Sequence, residues 1–460
     1  MVIPSFNGII IQAGDPEYDA ARSIWNAMID RRPLLIARPT STADVVAAVN
    51  FARKEQLPLA VRGGGHSIPG YGVCDDGIVI DLSLMRAVDV DAEAKKVRAQ
   101  GGCLLRDMDT ATQQHGLATP AGAVSHTGIA GLILGGGFGH LARRHGLSID
   151  NFLAAEVVTA DGRVLRASAD ENEDLFWALR GGGGNFGIVT VFELALHDRG
   201  PLYSGISIHR IEKTQDVLSI WHEVTSKAPD DLNWMPMMRR LPDEPWAPRH
   251  LVNERVMMSV PLWTGDVAEG PAQIDPILDR LEELGSEMHA SFPVSYNELQ
   301  QNFDGVMVHG RMNYHKSGFL RADAITDAIP VIHERAQLIA SPFSELELPQ
   351  MGGAVARVPV DATAFPHRGA AMAFNVIGMW DKLVPSETHI QWVRDTYDAL
   401  QPFTTGGVYI NFMGGDENGG SAAAFSDPAH YATYRRLQSI KAKYDPDNLF
   451  RLNANVPPSA

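Results

Sequence analysis

Between positions 33 and 83 the apolar residues follow two alternating patterns. Three brief runs, Pro33-Leu34-Leu35-Ile36-Ala37, Leu57-Pro58-Leu59-Ala60-Val61 and Gly77-Ile78-Val79-Ile80-Asp81-Leu82, are too short for helices and read as buried strands. After the first, Ser41-Thr42-Ala43-Asp44 offers side-chain oxygens to the free N–H groups of a helix start, which predicts a capped helix reaching about Lys54. This is a small α/β unit. Polar–apolar alternation at 87–91 and 96–100 predicts a hairpin, followed by a helix over about 104–115, and 157–165 predicts a second hairpin turning at Asp161-Gly162. Residues 175–180 close a short helix, and Ile188-Val189-Thr190-Val191-Phe192 is β-rich. Beyond about residue 200 the helices lengthen (215–226 and 273–284) and the strands carry methionine and tryptophan, so a second domain starts there. A helix over 429–443 ends at Tyr444-Asp445-Pro446.

A chain of 460 residues exceeds one ordinary core, and 45% hydrophobic with 20% charged residues is a globular composition. Acidic residues outnumber basic ones, 55 to 39, which disfavours nucleic acid and anionic membrane as partners. Two cysteines, Cys74 and Cys103, exclude a disulfide framework and a cysteine metal site, and fit a reducing, cytoplasmic location. The start Met1-Val2-Ile3-Pro4-Ser5-Phe6 lacks the basic and apolar regions of a secretory signal. The sixteen histidines show no metal-ligand spacing, and no metal is expected.

Glycine is clustered. Arg62-Gly63-Gly64-Gly65-His66-Ser67 follows a strand; Thr127-Gly128-Ile129-Ala130-Gly131, Gly135-Gly136-Gly137-Phe138-Gly139 and Gly181-Gly182-Gly183-Gly184-Asn185-Phe186-Gly187 come later. Ordering so many glycines is entropically costly, and a bound cofactor is the expected compensation. Gly182-x-Gly184-x-x-Gly187 has the spelling of a dinucleotide fingerprint, but a helix precedes it and a strand follows, the reverse of what that site requires. His66 at the tip of its loop adds a nucleophilic ring nitrogen to a run of backbone donors.

These motifs, with Gly146-Leu147-Ser148-Ile149-Asp150-Asn151 and Tyr444-Asp445-Pro446-Asp447-Asn448-Leu449-Phe450-Arg451, resemble the berberine bridge enzyme-like branch of the vanillyl-alcohol oxidase flavoproteins, in family order from about residue 33 to the C-terminus. The resemblance implies a two-lobed α+β protein: an FAD-binding domain of the PCMH type over 1–200 (core about 33–200), a substrate domain over 201–408 built as an antiparallel sheet covered by helices, and a C-terminal segment, 409–460, returning to the FAD domain. It implies FAD bonded covalently to His66. Bicovalent members add a cysteine where this chain has Val124, so no second cysteinyl link is expected.

By the same carry-over Arg62, Gly63, Gly64, Gly65, His66 and Ser67 grip the cofactor, Thr127, Gly128, Gly131, Gly135 and Gly139 line the flavin, Ile188 lies by the adenine, and Asn411 and Asn453 return near the ring. The expected reaction is oxidation of a C–O or C–N bond in a sugar, a secondary-metabolite alcohol or a cyclic amine, by hydride transfer to flavin N5, with O2 or another acceptor. The two tyrosines that commonly assist it in the family are Phe138 and Phe412 here. Substitute groups are Tyr409, read as lying on a late strand with its ring opposite Phe412, and Tyr314, His315 and Asn375 from the substrate lobe. Ile129 is read as a gate to oxygen, His140, Arg143, Arg144 and His145 as helix-end surface or partners for the phosphates, and Met235, Met237 and Met238 as core filling. Two rival readings are an oxygenating tailoring enzyme and a flavin-binding module without catalysis.

Overall fold

The computed structural model describes residues 1–416 and 420–459. Its first sheet orders the strands Ile9–Gln12, Leu35–Arg38, Ile78–Asp81 and Leu59–Arg62, the last three mutually parallel. The helix Thr42–Lys54 makes the crossover, and Ser41 caps it by accepting the Asp44 N–H at 3.2 Å. A second, antiparallel sheet orders Val88–Asp91, Lys96–Gln100, Ile188–Ala195, Phe152–Val158 and Val164–Ser168.

The third sheet is antiparallel and seven-stranded, in the order Met288–Val294, Leu202–Arg210, Arg255–Trp263, Leu232–Arg240, Glu345–Glu347, Met372–Trp380 and Met312–Leu320. Its two faces separate by strand alternation. Trp234, Met238, Leu346, Phe374 and Val376 pack under the helices Thr214–Thr225, Gly270–Glu282, Ile325–Ala336 and Glu387–Leu400, while Met235, Met237, Arg239, Glu347 and Asn375 look the other way, toward the first two sheets. The three methionines expected to fill a core are therefore divided, one inside and two on an interior wall.

Several contacts join the halves. The helix Leu105–Gln113 packs on Tyr296–Gln301, where fully buried Asp109 accepts one hydrogen bond, from Gln300 Nε2 at 3.1 Å; its Oδ1 has no partner. Burial pushes the Asp109 carboxyl up to about 7. Arg143 donates from its guanidinium to the carbonyls of Leu232 (2.8 Å) and Met351 (2.6 Å), and Arg144 to Asp231 (2.5 Å) and the Thr264 carbonyl (2.6 Å). These arginines clamp the lobes together, so the reading of them as helix-end surface or phosphate partners is corrected.

The C-terminal helix Tyr431–Tyr444 returns to the first half. Its fully buried Lys441 donates to Asp445 (2.6 Å) and to the carbonyls of Asn185 (2.7 Å) and Phe450 (3.0 Å), fastening the tail beneath the glycine run at 181–187.

Candidate active site

Between the large sheet and the glycine runs lies a cavity of about 880 Å³. The strand Leu59–Arg62 leads into the glycine loop, whose entry is fixed by Arg62: its guanidinium donates to Asp81 (2.7 Å) and to the carbonyls of Ala21 (2.5 Å) and Ser23 (3.2 Å). Burial raises the Asp81 carboxyl, but Arg62 and Arg38 more than cancel that and leave it below the usual carboxylate value. Arg62 borders the cavity, yet its charge is spent on the scaffold rather than offered to a ligand.

The first two glycine runs cross in contact. A Cβ on Gly64 would stand 2.3 Å from the Gly128 nitrogen, and one on Gly128 would stand 2.2 Å from the Gly64 nitrogen, so neither position admits a side chain. Gly131 and Gly184 differ: both border the cavity, and a Cβ on either meets nothing within 4 Å. Asn453 donates to the Gly184 and Phe450 carbonyls at 3.0 Å and keeps a buried, unpartnered Oδ1. A track of bare backbone beside open space, ending in a waiting acceptor, suits a long ligand rich in oxygens and N–H groups, and FAD fits that description.

His66 stacks on Trp25 with ring centroids 5.1 Å apart and 16° between planes, and its Nε2 lies 2.6 Å from His126 Nδ1. Burial, with smaller contributions from His126 and His309, pushes its pKa down to about 3, so the ring is neutral and keeps a lone pair.

Gly63, Gly64, Gly65, His66 and Ser67 border the cavity, as do Thr127, Gly128, Gly131, Gly139, Asn411 and Asn453. Two expected cofactor residues do not. Gly135 sits under Asn411, whose Oδ1 would meet a Cβ there at 2.1 Å, so this glycine makes room for a side chain rather than for a ligand. Ile188 is 2% exposed and packs in the core of the first sheet with Val158 and Phe450, because strand alternation turns it inward. Ile129, read as an oxygen gate, is also buried in core beside Cys103 and does not border the cavity.

Of the four candidate reacting groups, Tyr409, His315 and Asn375 border the cavity and Tyr314 does not. Tyr314 is on the helix-facing side of its strand, donating to Asp416 Oδ2 at 2.5 Å and accepting from Arg394 Nε at 3.0 Å; its neighbour His315 necessarily faces the other way. The segment carrying Tyr409 is no strand. Gly406 and Gly407 take φ of +79° and +77°, breaking any extended run, and Ile410–Phe412 is a 3₁₀ turn in which the Phe412 N–H bonds to the Tyr409 carbonyl at 2.9 Å. Residues three apart eclipse in such a turn, so the Tyr409 and Phe412 rings meet edge to face at 4.9 Å instead of lying on opposite sides. The Tyr409 hydroxyl accepts from the Gly137 N–H (2.9 Å) and Asn411 Nδ2 (3.0 Å), and burial pushes its pKa up to about 12. It is a proton donor at neutral pH.

His315 is buried with both ring nitrogens unpartnered, and burial lowers its pKa to about 3; Asn375 has an unpartnered Oδ1. Beside them stands a group that the sequence reading missed. Glu347 borders the cavity, opposite Asn375 on the neighbouring strand and beside Glu345 in charge interaction, while Glu345 pairs with Arg239 at 2.9 Å. Burial first, and then the adjacent Glu345, push Glu347 well above the ordinary carboxyl value. The rest of that wall is apolar, with Met235, Met237, Met258, Met288 and Val260, and Trp246 and Phe292 reach the exposed rim. Among the described residues no group of His, Cys, Asp or Glu is placed to hold a metal ion, and no helix is long and apolar enough to cross a membrane.

Comparison with known proteins agrees with this geometry. A family model described as FAD binding domain matches residues 33–168, and one described as berberine and berberine like matches 408–457. An FAD-linked oxidoreductase of Dictyostelium discoideum is 30% identical over 99% of this chain and 95% of its own length. The (R)-6-hydroxynicotine oxidase of Paenarthrobacter nicotinovorans is 31% identical over 99% and 97%. Among solved structures, 6-hydroxy-D-nicotine oxidase from Arthrobacter nicotinovorans superposes with a TM-score of 0.86 at 27% identity, covering 99% of both chains, and a xylooligosaccharide oxidase from Myceliophthora thermophila shares the fold at 0.84 and 23%, covering 98% of both.

Proposed function

This chain belongs to the berberine bridge enzyme-like FAD-linked oxidoreductases, and we propose that within that family it oxidises a C–N bond of an apolar small molecule, with FAD bonded to His66. Bound FAD supplies the hydride acceptor, N5, and returns its electrons to O2 or another acceptor. The observation that carries the reading is the Glu345–Glu347 pair on an otherwise methionine-rich wall.

An amine loses hydride with the help of its own nitrogen lone pair, and positive charge grows on nitrogen as it does so. Glu345 offsets the charge of Arg239, and Glu347 adds a second carboxyl beside it, so this polar part of the wall holds no uncompensated cation to oppose that charge in a medium of low dielectric. An alcohol instead needs its O–H proton taken as hydride leaves. A phenol held near 12 and an imidazole held near 3 are poor bases for that task at neutral pH. The methionine wall favours a hydrocarbon or aromatic body over an oligosaccharide, because a sugar's hydroxyls would be buried there without partners. Asn375 and His315, with unpartnered polar atoms, are suited to orient one polar substituent.

The neutral ring of His66, with one nitrogen engaged by His126, supports attachment through the other. Val124 at the cavity edge, and Cys74 and Cys103 buried with thiols pushed up to about 11 and about 12, support a single link and a reducing, cytoplasmic location. Domain limits of 1–200, 201–408 and 409–460 are proposed on the division of sheets and the returning tail.

The test is anaerobic mixing of the yellow holoenzyme with a panel of cyclic amines, aromatic alcohols and oligosaccharides. Bleaching by apolar amines, slowed by about 100-fold or more in Glu347→Gln, is expected; bleaching by oligosaccharides alone, or an unchanged rate in Glu347→Gln, would overturn the reading. Labelled O2 appearing in the product would favour the oxygenating alternative. Acid precipitation should leave the colour with wild-type protein and free it from His66→Ala.

A further inference from the structure

The geometry points to a proton relay, His66 to His126 to Asp304, that serves formation of the flavin bond and opens onto a second cleft lined by both halves. The inference rests on the attachment proposed above.

Two imidazole nitrogens 2.6 Å apart require one donor and one acceptor. If His66 Nε2 donates to His126 Nδ1, His66 Nδ1 holds the free lone pair and is the nucleophile. Alkylation of Nδ1 makes the Nε2 proton strongly acidic, and His126 is already in contact to take it. His126 Nε2 then faces Asp304 Oδ1 at 4.0 Å, close enough to balance a positive imidazolium. Asp304 is held in place by Ser125, whose N–H and hydroxyl donate to its two oxygens at 2.9 and 2.5 Å. Ser125 and Asp304 line a second cavity, of about 540 Å³, whose wall also carries Arg106. The other charged or titratable groups acting on the two rings are His309 and Arg106, both of which oppose added positive charge on His126, so Asp304 is the one that favours it.

In balance, the step joins His66 Nδ1 to the carbon of the flavin 8-methyl group. One proton leaves that carbon and one leaves the imidazole through His126. The two electrons of the broken C–H bond pass to dioxygen, which with two protons leaves as hydrogen peroxide. Afterwards the contact between the histidines persists with its direction reversed, His126 donating to the alkylated ring.

Asp304 follows the helix Tyr296–Gln301 of the substrate half, so the relay is complete only when the halves are docked. That makes the linkage a report on correct assembly of the lobes.

The experiment uses full-length protein purified with its flavin and incubated with added FAD. The fraction of flavin surviving acid precipitation is followed over time, and total bound flavin is measured in parallel. Wild type should link, and His66→Ala should bind without linking. His126→Ala should link about 100-fold more slowly, with recovery by added imidazole, and Asp304→Asn should fall between. His126→Asn retains a hydrogen-bond acceptor but cannot carry the proton, and it should stay slow. Linking at the wild-type rate in His126→Asn, or in His126→Ala with flavin bound, would overturn the relay while leaving attachment at His66 intact. A wild type that releases its flavin in acid would overturn the attachment reading, and the relay with it.

Discussion

Replacing Asp109 by Asn should stabilise the protein, and more so at higher pH. The carboxyl sits between the helices that join the lobes, with one hydrogen bond and a pKa moved from 3.8 to about 7. Its folded-state value lies above the unfolded one, so the folded chain holds the proton more tightly. Stability therefore falls as pH rises from about 4 to about 7 and is level beyond. Fully developed, the cost is about 4 kcal/mol at 1.36 kcal/mol per pH unit. By pH 5 roughly a third of it is already present, which leaves about 3 kcal/mol to appear between pH 5 and pH 8. Asn carries no charge, and its amide can donate to Gln300 Oε1, which has no partner in the wild type. With an unfolding entropy near 2.1 cal/mol/K per residue, the gain of Asp109→Asn over wild type should widen by about 3 °C in Tm between those two pH values. Scanning calorimetry at matched flavin content and scan rate measures it. A difference in Tm that does not change with pH would refute the assignment of a shifted carboxyl at this contact.

Gly131→Ala should gain up to about 1 kcal/mol of helix stability yet bind flavin at least about 10-fold more weakly, since the new methyl enters open space at the cavity wall; equilibrium flavin titration beside thermal melts checks both halves. Gly64→Ala should lose flavin and stability together, because its Cβ would stand 2.3 Å from the Gly128 backbone nitrogen, which cannot swing aside as a side chain could. Lys441→Met leaves Asp445 buried without its cation and should cost about 3 kcal/mol in a denaturant melt, with flavin fluorescence appearing early in the transition. Tyr409→Phe should leave the pH–rate profile between pH 6 and 10 unchanged, since the phenol is held near 12, while the orphaned Gly137 N–H costs about 1–3 kcal/mol of stability.

The cofactor half was legible in the sequence because its chemistry is carried by backbone. Glycine runs such as 62–67 and 127–131 announce a close approach without any knowledge of which side chains lie opposite. The two expected residues that lie off the cavity, Gly135 and Ile188, have neighbours in space that come from far along the chain: Asn411 in one case and Phe450 in the other. The substrate wall was not legible. Glu345-Leu346-Glu347 has the alternation of a strand with one face in water, and here that polar face borders an interior cavity. Only the register with Arg239 and Asn375 reveals it. Tyr409 was misplaced for a local reason: Gly406-Gly407 ended the extended run just before it, and a strand period was applied to a 3₁₀ turn.

The buried anchor at Lys441 imposes an order on biosynthesis. Asn453 and Ala454 border the cofactor site and reach it through the tail that Lys441 fastens to Asn185. A nascent chain carrying every glycine run but not yet these residues has an unfinished cradle. The cradle is therefore whole only once synthesis has passed Ala454 and the tail has docked.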